Sequence, residues 1–244
     1  KYPLRVTAES WLGDIPLKDL QIKHFAVWRD ERLVKVKPNT VMRELRILRV
    51  LIDWVRDERG AEIKDNPARN LRVRGTGDAR APFFTDLDEK NLLYELSLMS
   101  NKNHLRLTKL ALSTGFRRSE LLSLTWSNID LHKEKIYIQR KECAARGSSI
   151  SMRMVPLPFK AKDLLRDFES KQGKVLPITK GAARNGFDKA RKRAGLETLR
   201  FHDLRHIAIS RMWSSGMNAL EISACSGHRD IKMLIRYSHF QLSI

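Results

Sequence analysis

Cysteines, acidic residues and long apolar runs are all scarce in this chain of 244 residues. Its two cysteines, Cys143 and Cys225, are too few and too isolated for a disulfide framework or a zinc site. The chain has no run of about 18 uncharged apolar residues, the length that spans a bilayer. No signal-like segment opens it either, because residues 1–20 mix charged and apolar side chains throughout. These absences predict a soluble cytoplasmic protein without a membrane partner.

The hydrophobic content of 42% is too high for a disordered chain and indicates a folded protein. The length is compatible with one large domain or two small ones, either able to bury a substantial core.

Positive charge dominates the composition. Lysine and arginine number 47 against 28 acidic residues, which gives a formal net charge of +19. A folded chain this basic repels itself unless a polyanion neutralises it, and the usual polyanion is nucleic acid. A membrane-surface binder, a ribosome-associated protein and a secreted cationic protein are the other classes that this charge allows. Charge alone distinguishes neither DNA from RNA nor a binding protein from an enzyme.

The first third of the chain has helical spacing. An imperfect helical period covers residues 17–34, and a start signal at residues 38–40 opens a stronger amphipathic helix that Gly60 ends. Next comes an arginine-rich stretch with two glycines and no apolar period, which predicts a basic linker over residues 73–83. The arginines that we expect to contact phosphates, although a solvated face would look the same, are Arg43, Arg46, Arg49, Arg72 and Arg74.

The remainder of the chain is mostly helical in pattern, with one strand pair. Residues 135–140 and 152–157 are β-branched or alternating, and the segment between them suits a hairpin connection. Helical patterns cover residues 86–99, 105–113, 161–168, 181–193, 202–213 and 218–224. The predicted fold class is therefore mainly α with a small antiparallel sheet (α+β), in a helical domain 1–72 and a second domain 84–244.

A helix boundary in the second domain exposes an arginine. Gly115 is expected to end one helix, so that Arg117 lies at the break before the next, where backbone N–H groups are unpaired and a side chain can reach outward. A surface arginine that pairs with Glu120 is the plainer interpretation of these residues alone.

A second basic cluster lies at another predicted helix start. His202 and Arg205 share a face of the first turn, where a helix attracts anions and a guanidinium fits phosphate oxygens. His206 stands four residues after His202, but Asp203 occupies the position where a metalloprotease motif has glutamate, so the zinc interpretation is weak.

The end of the chain combines Gly227-His228 with Tyr237. A lone tyrosine usually packs its ring and bonds its hydroxyl. Residues 218–237 also have the spacing of a helix-turn-helix. Each of these signals is ambiguous when it is taken alone.

Together these segments closely resemble the signature boxes of the tyrosine recombinases, or phage integrases. The resemblance rests on residues 114–122 (TGFRRSELL), 201–206 (FHDLRH), 226–228 (SGH) and 237–239 (YSH), in the family's order and spacing. It covers the second domain, which it implies is catalytic. The first domain matches the family's core-binding domain only in general character, and we expect it to be incomplete at its N-terminus.

The resemblance implies a site-specific recombinase that cuts and rejoins double-stranded DNA through a 3′-phosphotyrosyl intermediate. Each step exchanges one phosphate ester for another, so neither ATP nor a metal or other cofactor is expected. It further implies a tetramer on two DNA sites and a prokaryotic, phage or plasmid origin.

The resemblance also assigns roles to individual residues. Tyr237 is the nucleophile and His202 its proton acceptor, while Glu120 orients an arginine. Lys141 is the expected acid for the leaving oxygen, although the connection from Lys141 to Val155 is longer than the family's compact hairpin. The groups expected to hold the phosphate are Arg117, Arg205 and His228.

Three alternatives remain open at this point. A non-catalytic helix-turn-helix regulator accounts for the charge but leaves Arg117, His202 and Arg205 as coincidences. A type IB topoisomerase shares the chemistry but relaxes supercoils without pairing sites. A zinc-dependent hydrolase is the third.

Overall fold

The computed structural model describes residues 2–75, 84–140, 151–169, 171–228 and 230–235. The chain divides into two compact units, residues 1–80 and 81–244. This division falls inside the stretch 73–83, whose role as a linker stays a prediction because residues 76–83 lie outside the described part. Within the described residues, no helix combines the length and apolarity needed to cross a membrane.

The described residues of the first unit form the α-helices α1 (Tyr2–Ala8), α2 (Ile22–Lys35) and α3 (Pro38–Arg59). The helical pattern predicted from residue 17 starts later, because Leu17–Asp19 forms a separate 3₁₀ turn after Pro16. Helix α3 has the predicted bounds, with proline in its first turn and Gly60 after its end at φ 65°, a left-handed conformation that glycine adopts without strain. The buried side chains of this unit include Phe25, Trp28, Val41, Leu45, Leu48 and Ile52.

One buried ion pair connects α2 with α3. Glu44 is 1% exposed, and its two carboxylate oxygens accept hydrogen bonds from the Arg32 guanidinium at 2.9 and 3.0 Å. Two parallel hydrogen bonds of this kind offset part of the cost of removing both charges from water.

The second unit contains the predicted sheet and the remaining helices. Strands β1 (Ile129–Asp130), β2 (Lys135–Arg140) and β3 (Ser151–Pro156) form an antiparallel sheet in the order β1-β2-β3, with Ile138 opposite Arg153. The helices are α4 (Asp86–Ser97), α5 (Asn103–Thr114), α6 (Arg118–Ser123), α7 (Phe159–Arg166), α8 (Lys180–Arg193), α9 (Asp203–Ser214), α10 (Ala219–Ser226) and α11 (Lys232–Ile235). The predicted fold class, mainly α with a small antiparallel sheet, is confirmed.

The core of this unit brings α5 and α9 together. Leu107 and Leu110 of α5 are 1% exposed, and Ile209 of α9 is fully buried. Gly115, directly after α5, lies against Ala208, since a Cβ at Gly115 would be 3.5 Å from the Ala208 Cβ. The end of α5 and the first turns of α9 are thereby held next to each other, and both carry predicted site residues.

Candidate active site

The turn between α5 and α6 holds Arg117 in a reciprocal arrangement with Glu120. Gly115 ends α5 at φ 66°, a left-handed conformation that an L side chain adopts only with strain, and Arg117 is the residue that precedes α6. The Arg117 N–H donates to Glu120 Oε2 at 2.8 Å, and Arg117 Nη1 donates to Oε1 at 3.1 Å. One carboxylate therefore fixes both the backbone and the side chain of Arg117. The Arg117 side chain is still 45% exposed, so its guanidinium can meet a ligand from solvent.

Arg205 lies in the first turn of α9 and is only 3% exposed. Its Nη1 donates to the Gly115 carbonyl at 2.7 Å, and its Nη2 lies 3.3 Å from both ring nitrogens of His228. These contacts offset part of the cost of burying a permanent charge. Arg205 thus connects the end of α5, the start of α9 and the turn after α10.

The turn after α10 orients the His228 ring. Gly227 ends this helix at φ 72°, and the Ser223 hydroxyl donates to the His228 carbonyl at 2.7 Å. The Ser226 hydroxyl donates to the Ile222 carbonyl at 2.6 Å and lies 2.7 Å from His228 Nδ1. Because that hydroxyl proton is already used, Nδ1 must carry the proton and donate to Ser226, which leaves Nε2 as the acceptor for Arg205. The His228 tautomer is inferred from this hydrogen-bond network.

His202 precedes α9, and the charges of both arginines act on its imidazole. Its ring reaches solvent and meets the His206 ring edge-to-face at 5.1 Å between centroids. Partial burial lowers the pKa of His202, the positive charges of Arg205 and Arg117 lower it further, and the negative charge of Asp203 opposes them. At neutral pH the ring is therefore uncharged and able to accept a proton.

Four of the predicted catalytic residues thus lie in one region of the second unit. Arg205 contacts both His228 and the turn that carries Arg117. The charges of both arginines lower the pKa of His202. The other two predicted catalytic residues, Lys141 and Tyr237, lie outside the described residues.

The five arginines predicted to contact phosphates have different surroundings in the first unit. Arg49 is part of the internal packing, since its guanidinium donates to the carbonyls of Ala68, at 2.7 Å, and of Leu71. The Arg72 carbonyl accepts a hydrogen bond from Arg29 at 3.0 Å. The four that expose their side chains are Arg43, Arg46, Arg72 and Arg74.

The site also contains a residue that the sequence interpretation missed. Arg153 on β3 is 7% exposed, and its Nη2 lies 3.2 Å from Glu120 Oε1. The signal was the alternation of the strand, because Arg153 has the same parity as Val155, which is fully buried. An arginine on the inner face of a half-buried strand requires a buried partner.

The sequence of this chain is similar to those of known proteins. The chain matches the model of the Phage integrase family over residues 84–243. It belongs to this family. Among relatives, it is 34% identical to the shufflon-specific DNA recombinase of Escherichia coli, over 88% of this chain and 57% of that protein. The chain therefore spans little more than half of that relative's length.

Solved structures of integrases share the fold. The catalytic domain of bacteriophage HP1 integrase is 29% identical and superposes with a TM-score of 0.54, covering 66% of this chain and 89% of that domain. The Tn1549 transposon integrase in complex with circular intermediate DNA gives a TM-score of 0.75 at 18% identity, covering 96% of this chain and 86% of that one.

Proposed function

We propose that this member of the phage integrase family is a site-specific DNA recombinase that cuts and rejoins double-stranded DNA through a 3′-phosphotyrosyl intermediate. The observation that carries the proposal is the buried Arg205 guanidinium, held between the Gly115 carbonyl and His228 beside His202 and Arg117. The recombinase name of the Escherichia coli relative and the DNA complex of the Tn1549 integrase support it.

The two arginines suit a phosphodiester in its transition state. Negative charge accumulates on the non-bridging oxygens as phosphorus becomes five-coordinate, and forked, permanently charged donors stabilise it best. Arg205 is held in place by protein groups before substrate arrives, and Glu120 does the same for Arg117. Donors fixed in this way need little reorganisation during the reaction. His228 Nε2 accepts from Arg205 and thereby helps to orient this guanidinium toward the same phosphate.

The proton movements follow from the groups present. The Tyr237 hydroxyl attacks phosphorus, forming a P–O bond to the phenol while the bond to the 5′-oxygen breaks. A free phenol titrates near ~10, so its proton must leave during the attack, and neutral His202 is the acceptor. Lys141 supplies a proton to the departing 5′-oxygen. The 5′-hydroxyl of the partner strand then reverses the sequence, and the tyrosine is regenerated.

The exposed arginines of the first unit contribute affinity. Arg43, Arg46, Arg72 and Arg74 would pair with phosphates and release counterions, which makes binding steeply salt-dependent. Arg49 already has two backbone carbonyls as partners, so we expect it to contribute least among the five. A tetramer on two DNA sites completes the proposed assembly.

A suicide substrate tests the proposal. Duplex DNA bearing the target site and a nick just beyond the scissile phosphate traps the covalent intermediate, because the short cleaved strand diffuses away. We expect a protein–DNA adduct that survives denaturation and that Tyr237→Phe abolishes while DNA binding persists. A purely regulatory DNA-binding protein gives binding and no adduct. Joining of two sites distinguishes a recombinase from a topoisomerase, and insensitivity to chelator excludes a zinc hydrolase.

A further inference from the structure

Arg153 connects two of the segments that carry the proposed site. Its Nη2 lies 3.2 Å from Glu120 Oε1, the same oxygen that Arg117 Nη1 contacts at 3.1 Å. Its Nη1 donates to the Cys225 carbonyl at 3.0 Å and lies 3.4 Å from the Ala224 carbonyl, both near the end of α10. One guanidinium therefore holds the partner of Arg117 and the helix end that leads into His228.

The turn after α10 is shaped around this guanidinium. Gly227 lies so close that a Cβ there would clash with Arg153 Nη1 and lie 2.5 Å from its Cζ. The φ of 72° at Gly227 also excludes most other residues. Arg153 Cζ also lies 5.4 Å from the centre of the ring of Phe116, the residue directly before Arg117. The guanidinium is thus enclosed by the two segments that it connects.

Burying an arginine costs desolvation free energy that an apolar side chain of similar volume would not cost. Replacing a buried ion pair with apolar residues of similar size often leaves the folding free energy unchanged or makes the protein more stable. The Arg153–Glu120 pair is therefore weak evidence for a role in stability. Here Glu120 has two tasks, since Oε2 accepts the Arg117 N–H at 2.8 Å while Oε1 is shared by both arginines. The second arginine fixes the carboxylate from the interior, which leaves Arg117 as its outward partner.

Building on the proposed recombinase function, we propose that Arg153 is a positioning residue for DNA cleavage. It acts through Glu120 on Arg117 and through the end of α10 on His228. In this proposal it holds these groups in place and does not itself bind the phosphate, because its guanidinium is occupied by the Glu120 carboxylate and the Cys225 carbonyl. Its strand, β3, pairs with β2, so Arg153 also connects this sheet to the arginine cluster.

Single-turnover cleavage of the suicide substrate separates positioning from stability. At saturating DNA, the rate constant reports the active site, whereas the amplitude reports the fraction of folded protein. Arg153→Lys keeps the charge and loses the forked contact to Glu120 and the α10 carbonyls. We expect the rate constant to fall about tenfold or more, since small misplacements of catalytic groups have effects of this size, with the Kd for DNA changed less than about threefold.

The buried Arg32–Glu44 pair of the first unit provides a matched control. Both pairs bury an arginine against a glutamate, with side-chain exposures of 13% and 1% for Arg32 and Glu44 and of 6% and 13% for Arg153 and Glu120. Arg32→Lys should lower the Tm and the amplitude while leaving the rate constant unchanged. The inference is overturned if Arg153→Lys also lowers only the Tm and amplitude, or if Arg32→Lys slows cleavage equally.

A double variant keeps the test decisive if the single variant folds poorly. Arg153→Met with Glu120→Gln removes both charges of the buried pair, which restores stability more readily than removing one. We expect its cleavage rate constant to fall at least as far as that of Glu120→Gln alone, because the double variant also loses the Arg153 contacts to the end of α10. A double variant that cleaves as fast as the parent contradicts the inference.

If Tyr237→Phe and Arg117→Ala both cleave normally, the proposed function itself has failed.

Discussion

The two arginines proposed to hold the phosphate are positioned in opposite ways. Arg205 is 3% exposed and held by the Gly115 carbonyl and His228, so its orientation is part of the folded core. The Arg117 side chain is 45% exposed and depends on one carboxylate, that of Glu120. One site thus combines a guanidinium that the folded core holds in place with a guanidinium that a local ion pair holds. The two should therefore respond differently to mutation.

The largest effect is expected from Arg205→Ala. The loss of a preorganised donor typically costs ~10²–10³-fold in rate, and the Gly115 carbonyl is then left buried without this partner, at about 1–3 kcal/mol of folding free energy. Single-turnover cleavage and urea unfolding measure the two effects. A slow but fully stable variant would contradict the idea that folding holds Arg205 in place.

Arg117→Ala should slow cleavage by a similar factor, about 10²-fold, but with little change in stability. Its ion pair with Glu120 is half-exposed, and exposed pairs contribute about 1 kcal/mol or less. The same two measurements apply. A stability loss as large as that of Arg205→Ala would remove the distinction between the two arginines.

The pKa of His202 provides a third way to compare them. Arg205 and Arg117 both lower this pKa, and Arg205 has the larger effect. Replacing either with glutamine should raise the pKa, with the greater rise for Arg205→Gln, as measured by NMR titration of the His202 ring. Equal shifts would contradict the arrangement.

The lowered pKa of His202 also makes the free energy of unfolding depend on pH. Because the folded-state pKa of His202 lies below the ordinary value of 6.5, the unfolded chain binds the proton more readily. The contribution of His202 to stability is therefore complete above about pH 6.5 and is lost as the pH falls below it. His202→Gln should flatten this part of the curve of unfolding free energy against pH.

The smallest effect is expected from Arg118→Ala, directly beside Arg117. The Arg118 Cζ lies 5.7 Å from the Phe201 ring centre, a contact that contributes about 0.5–1 kcal/mol. Cleavage should change less than about threefold. A loss comparable to that of Arg117→Ala would show that charge alone, rather than position, determines the rate.

The sequence predicted the long elements of the fold better than the short ones. Helix α3 has the predicted start and end, because proline, glycine and a regular apolar period all point to the same bounds. The two-residue β1 was missed, since it is too short to show a period. The 3₁₀ turn at Leu17–Asp19 was included in a helix because Leu17 and Leu20 are three residues apart, a spacing that helices also show.

Residues of the site could be predicted from the sequence only where they lie in one of the family's signature boxes. The family boxes pointed to Arg205 and His228, and the structure brings them together. Arg153 belongs to none of the quoted boxes, and its partners lie 33 and more than 70 residues away, so its role depended on the tertiary structure. Arg49 was expected to contact phosphate, but a helical pattern in the sequence does not reveal the two backbone carbonyls to which its guanidinium donates.

Mass spectrometry of the trapped adduct tests the central claim most directly. After digestion of the protein and the DNA, the peptide that retains a nucleotide identifies the attacking residue, and the attached end identifies the bond that broke. We predict a peptide containing Tyr237 joined to a 3′-phosphate. A link through any other residue, or to a 5′-phosphate, would contradict the proposed arrangement of nucleophile, arginines and imidazoles around one phosphorus.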